Sequence, residues 1–113
     1  MKRQQASAMP DHLSSQLAEL GQALADSRIA RKITQAEAAV RANVSRNTIV
    51  RIERGDAGVA VGQILRYLDA VRPGVSLQAF LSQPDTAVVQ MEAQGKRQRS
   101  RTLGEKELKR YDF

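Results

Sequence analysis

Apolar residues recur along the first part of the chain at helical spacing. Leu13, Leu17, Leu20 and Leu24 follow one another at intervals of four, three and four residues, which places them on one face of an amphipathic helix. This pattern predicts a first helix from Leu13 to about Arg31, with Ile33 as a core anchor behind it. Thr34 then offers a hydroxyl cap, and Glu37 stands three residues later at capping-box spacing. A second, alanine-rich helix is expected to run to Ala42 and to end at Asn43, a residue that tolerates the left-handed conformation. Ser45 supplies another cap, and Arg46 to Arg54 reads as a third helix that Gly55 closes. Ile49 and Ile52 lie three apart and face inward, so Arg46, Asn47, Thr48 and Arg51 spread over the other side.

Asp56 to Gly58 reads as a loop. Val61, Ile64, Leu65, Leu68 and Val71 then mark a fourth helix, broken by Arg72, Pro73 and Gly74. Ser76 caps a short fifth helix whose apolar face is Leu77, Phe80 and Leu81, ahead of Pro84. Beyond Ser82 the pattern weakens: Thr86 to Met91 is compatible with a short strand, and Lys96 to Arg101 is a basic run without an apolar stripe. The expected fold is all-α. A compact five-helix domain over residues 13–82 follows a flexible arm, residues 1–12, and precedes a basic C-terminal extension, residues 83–113.

Composition narrows the partners. The 113 residues carry a formal charge of +6, with 42% hydrophobic residues and no tryptophan, which suits one small domain with a modest core. The excess of cations suits a polyanion, because each lysine or arginine that meets a phosphate releases condensed counterions. No apolar run approaches the roughly 20 residues needed to span a bilayer, and the N-terminal residues lack the apolar centre of a signal peptide. A cytoplasmic location without membrane contact is the expectation. With no cysteine and one histidine, His12, neither a disulfide nor a transition-metal site is expected, and no cofactor is called for. Glu105 and Glu107 sit in a charged tail without histidine, cysteine or a glycine-rich phosphate loop, so catalysis is not expected either.

The outward face of the third helix holds the chemistry for reading bases. Arginine can donate two hydrogen bonds to a guanine edge, asparagine can pair bidentately with adenine, and threonine can meet thymine or phosphate. The segment from Arg28 to Gly55 resembles the helix-turn-helix of the Cro and phage-repressor (Xre-type) family, in a lambda-repressor-like fold. Arg28, Thr34, Gln35, Glu37, Ala39, Val44, Ser45, Ile49, Glu53 and Gly55 stand where that family's pattern has them. The resemblance extends more loosely from about Leu17 to Leu81. Ala38 stands where leucine is common and Asn43 where glycine is usual.

The resemblance implies a sequence-specific DNA-binding transcriptional regulator, a dimeric repressor that places residues 45–54 in the major groove of a double-stranded operator. Arg46, Asn47, Thr48 and Arg51 are the implied base contacts, and Gln35, Ser45 and Arg54 the implied phosphate contacts. Arg28 and Glu53 are expected to form a structural ion pair between the first helix and the end of the third. Each has a plainer reading: exposed cations for Arg46, Arg51 and Arg54, simple capping for Ser45. Leu77, Phe80 and Leu81 belong to the core unless one is left exposed, in which case it suits a homodimer seam. The tail from Lys96 to Phe113 holds seven basic residues against three acidic ones. It reads as a solvated run, as a phosphate-binding strip, or as the toxin-binding segment of an autoregulating antitoxin, the last on the resemblance alone.

Overall fold

The computed structural model describes residues 9–105, with side chains to residue 99. Among these residues there are six helices and no strand: α1 (Asp11–Ala30), α2 (Gln35–Ala42), α3 (Arg46–Arg54), α4 (Val61–Val71), α5 (Leu77–Ser82) and α6 (Thr86–Glu105). Residues 1–8 of the expected arm and residues 106–113 of the expected extension lie outside the described residues. The helical domain starts earlier than the leucine pattern indicates, because Asp11 and His12 already form the first turn of α1 behind Pro10. No helix among the described residues is long and apolar enough to cross a membrane.

The helix ends follow local chemistry. At α2 the capping box is complete: Thr34 Oγ1 accepts from the Glu37 amide at 3.0 Å, and Glu37 Oε1 accepts from the Thr34 amide at 2.8 Å. Ser45 and Ser76 cap α3 and α5 by accepting from the Thr48 and Ala79 amides at 3.1 and 3.0 Å. Three successive helices close with a left-handed residue and the same pair of backbone bonds. After α1 the residue is Lys32, where the Lys32 and Ile33 amides return to Ile29 and Arg28. After α2 it is Asn43, and after α3 it is Gly55. This doubled closure satisfies carbonyls that would otherwise be orphaned and turns the chain sharply.

Leu24, Ile33, Ala38, Ala39, Ile49, Ile52, Tyr67, Leu68 and Val71 form the core, with Leu20, Val44, Ile64, Leu77 and Phe80 packed around it. Ala38, which stands where leucine is common in the resembling family, is itself completely buried. Val61 and Leu65, at helical spacing with the rest of α4, are exposed, whereas Tyr67 is fully buried. Helices α1 and α3 meet backbone to backbone. A Cβ on Gly21 would lie 2.5 Å from the Glu53 carbonyl oxygen, and one on Gly55 would lie 2.5 Å from that of Leu17. Only glycine allows this approach, and Gly55 additionally holds a φ of 77°.

The strand considered over Thr86–Met91 is instead the first part of α6. Thr86, Val88 and Val89 are β-branched, which favours a strand locally, but tertiary contacts decide otherwise. Asp85 accepts from the Ala87 amide at 3.1 Å and so caps α6. Its carboxylate also takes Ser27 Oγ at 2.6 Å and the two guanidinium nitrogens of Arg31 at 2.9 and 3.0 Å, with Arg72 at 3.6 Å. The Arg31 hydrogen bonds outweigh burial and hold the Asp85 carboxyl well below the usual carboxylate range, helped by Ser27 and by the charges of Arg31 and Arg72. The start of the C-terminal extension is thereby fastened to α1 and to the end of α4.

Candidate nucleic-acid interface

The α2–turn–α3 unit presents one face of α3 to solvent. Ile49 and Ile52 are 0% and 3% exposed, while Arg46, Asn47 and Arg54 are exposed and Val50 and Arg51 half-exposed. Because helical residues advance by about 100° each, Asn47, Arg51 and Arg54 share the outermost arc, with Val50 and Thr48 on its flanks. Arg46 lies on the edge that turns toward the N-terminus of α2. Of the residues expected to meet bases, Arg46, Asn47, Thr48 and Arg51 therefore sit on one continuous surface.

Three of them are engaged within the protein, Arg46 by donating from Nη2 to Gln35 Oε1 at 3.3 Å. Thr48 Oγ1 lies 3.0 Å from Ser45 Oγ, inside the α3 cap. Arg51 Nε donates to Asp56 Oδ2 at 2.9 Å, and Asp56 Oδ1 accepts from the Gly58 amide at 2.6 Å. The Arg51 guanidinium, followed by the Gly58 amide, holds the Asp56 carboxyl below its ordinary value. Asp56 thus restrains Arg51 on the exposed face of α3, a partner that the sequence pattern did not indicate.

Glu53 occupies the hidden side of α3. Arg28 grips it in bidentate fashion, Nε to Oε2 at 2.6 Å and Nη2 to Oε1 at 3.1 Å, and the two side chains are only 12% and 10% exposed. The Tyr67 hydroxyl makes a short hydrogen bond to Oε2, and Gln35 Nε2 donates to Oε1 at 3.0 Å. Burial pushes the Glu53 carboxyl up, but hydrogen bonds from Arg28, Tyr67 and Gln35 outweigh it and leave it below the ordinary value. Burial, reinforced by the adjacent carboxylate, drives the Tyr67 phenol far above its ordinary range, so it remains a donor. Arg28 also reaches the Ile33 carbonyl at 2.8 Å. The pair ties α1, the α1–α2 turn, α3 and α4 together.

Gln35, expected on phosphate, is half-buried against this network. Its Oε1 accepts from Arg46 Nη2 at 3.3 Å. Ser45 lies with Asn43, Thr48, Gln63 and Arg66 around a polar hollow of about 480 Å³ between the N-termini of α3 and α4. Arg66 is an exposed cation there that the reading of α4 for apolar spacing passed over. Arg54 lies at the other end of α3, beside Met9, Ser14, Leu17, Gly55, Asp56 and Ala57. Four residues outside the motif pattern thus bear on the surface: Val50, Asp56, Arg66 and Tyr67. Val50 alone left a local signal, as an apolar residue off the Ile49–Ile52 stripe.

A protein-family model for a helix-turn-helix domain matches residues 19–79. No curated protein and no solved structure matches the chain.

Proposed function

The chain belongs to the helix-turn-helix domain family, Xre/Cro-like in kind, and from that premise we propose that it is a sequence-specific transcriptional regulator that reads operator DNA with α3. The observation that carries this reading is the division of α3 into a buried apolar side and an exposed face of Arg46, Asn47, Val50 and Arg51. In a major groove those residues offer fork-like donors for guanine, an amide for adenine and a methyl surface for thymine. Thr48 adds a hydroxyl from within the cap. Ser45, Arg54 and Arg66 flank the face and meet phosphate, which sets the register of the helix without reading sequence.

Repression follows from occupancy: a domain seated over a promoter excludes polymerase. The regulator acts in the cytoplasm and as a homodimer, since one α3 covers one half-site and two-fold symmetric operators need two. Leu81 supports the dimer. It is 65% exposed on α5, next to Val89 of α6 at 52%, along an apolar groove of about 470 Å³ between α1, α5 and α6. The second reading, an autoregulating antitoxin, draws on α6, where Lys96 and Arg97 are exposed and suit an acidic partner. Selection of bound duplexes from a random pool tests the main reading. A recurrent two-fold motif is expected; enrichment of no motif at low salt, where nonspecific contacts are strongest, would leave the protein-docking role in its place.

A further inference from the structure

Arg51 does not extend freely from α3. Its Nε donates to Asp56 Oδ2 at 2.9 Å, and the other carboxylate oxygen of Asp56 accepts from the Gly58 amide at 2.6 Å. The pair lies against the loop backbone at Gly58, where an added Cβ would be 3.1 Å from Arg51 Nη2 and 3.2 Å from Asp56 Oδ1. Asp56 follows directly on Gly55, whose left-handed turn and close approach to α1 fix the start of this loop. The two side chains stay partly exposed, 37% and 32%, so a polyanion seated on α3 can reach them. The Asp56 carboxyl is held below its ordinary value and is therefore an anion at neutral pH. Within the protein it offers Arg51 what a DNA phosphate offers, an anionic oxygen at hydrogen-bond distance.

We propose that Asp56 is an internal competitor for DNA, an anion that occupies Arg51 in the free protein and must be displaced before Arg51 engages a duplex. The proposal rests on the DNA-reading function proposed above. Forming the complex exchanges one acceptor of Arg51 for another, and the gain from Arg51 is reduced by the bond it gives up. Exposed ion pairs of this kind are weak, so the competition tunes affinity without abolishing it. The same bond is broken on every duplex that Arg51 engages. Asp56 therefore sets the strength of binding and leaves the order of preferred bases unchanged.

Two substitutions remove the competitor and keep the loop. In Asp56→Asn the single acceptor oxygen of the amide is claimed by the Gly58 amide, so its NH₂ faces Arg51, which only donates. In Asp56→Ser the hydroxyl still serves the Gly58 amide but is too short to reach Arg51. Each is made in the wild-type and Arg51→Met chains and titrated at several salt concentrations on a duplex selected from a random pool and on a mixed-sequence duplex of equal length. Thermal melts confirm folding. Competition predicts that either substitution tightens binding by about threefold to fivefold and steepens the salt dependence by about one contact. Both gains should largely vanish in the Arg51→Met chain. Equal gains in the two backgrounds would overturn the proposal in favour of simple repulsion between Asp56 and phosphate. Unchanged or weaker binding by folded variants would also overturn it, as would lost preference at one base pair without a gain in affinity, since Asp56 would then be aiming Arg51. If the wild-type chain binds neither duplex, the DNA-reading function fails first and the proposal with it, an outcome recognisable without any variant.

Discussion

Replacing Gly21 with alanine should destabilise the protein, against the usual rule for glycines inside helices. In a free helix the change gains about 0.5–1 kcal/mol, since alanine has the higher helix propensity and loses less backbone entropy on folding. Here the added Cβ would lie 2.5 Å from the Glu53 carbonyl oxygen and 2.7 Å from that of Ile52, whereas ordinary contact begins near 3.4 Å. These are backbone atoms at the C-terminal end of α3, so no side chain can swing aside. Helices α1 and α3 must part by nearly 1 Å, enough to forfeit a quarter to a half of the dispersion well for each contact across the seam. Overpacking of this kind costs about 1–3 kcal/mol, which leaves a net loss of roughly 1–2 kcal/mol once propensity is offset. For a domain of this size that lowers Tm by roughly 4–16 °C. Urea unfolding of Gly21→Ala beside Gly62→Ala makes the assay. Gly62 lies in the first turn of α4, and a Cβ there meets nothing within 4 Å, so its alanine variant should be neutral or more stable. Stability at or above wild type for Gly21→Ala, with an unchanged m value, would refute the close-approach reasoning.

Further expectations follow from the ion pairs and the helix ends. Glu53→Ala strands a nearly buried Arg28 and should cost roughly 3–5 kcal/mol, while Arg46→Ala, on the surface, should stay within about 0.5 kcal/mol; thermal melts in the reverse order would remove Glu53 from the scaffold. Because the Asp85 carboxyl is depressed in the folded protein, its contribution is complete above the ordinary carboxylate value near 3.9 and is lost as pH falls toward the lower folded value. Asp85→Asn should therefore cost roughly 2–3 kcal/mol at neutral pH, with the gap to wild type closing below about pH 4; a gap independent of pH in denaturant titrations would contradict this. Lys32 holds a φ of 58°, so Lys32→Gly should raise stability by up to about 1 kcal/mol in urea unfolding, and a loss would show that the left-handed turn carries no strain. Asp56→Asn keeps an acceptor for the Gly58 amide while releasing Arg51 from a charged partner, and should tighten DNA binding and steepen its salt dependence; weaker binding would mean that the tethered arginine is the competent one.

The helix borders were legible because they depend on neighbours in sequence. Thr34 with Glu37, Ser45, Ser76, Asn43 and Gly55 each act through backbone groups within a few residues, and the structure places caps or left-handed turns at all of them. The features that escaped depend on distant partners. Tyr67 looks like an ordinary member of α4 until Glu53 and the core close around it. Asp85 carried no expectation in the sequence, and only the arrival of Ser27, Arg31 and Arg72 turns it into the anchor that makes α6 a helix. Gly21 did leave a trace, since it falls beside Leu17, Leu20 and Leu24 on the apolar side of α1, where a missing side chain signals close backbone approach. On the exposed face of α3, residue types and spacing named the polar side chains, but not Val50, nor that Asp56 restrains Arg51 or that Gln35 and Arg46 are joined.

The central claim is that the exposed face of α3 is where DNA binds. Titration of the isotopically labelled protein with a selected duplex, followed through its backbone amide resonances, tests it most directly. The account predicts that the largest shifts fall on residues 45–54 and on the N-termini of α2 and α4, and that they weaken together as salt is raised. Shifts confined to the α1–α5–α6 groove or to α6, with α3 unmoved, would contradict it.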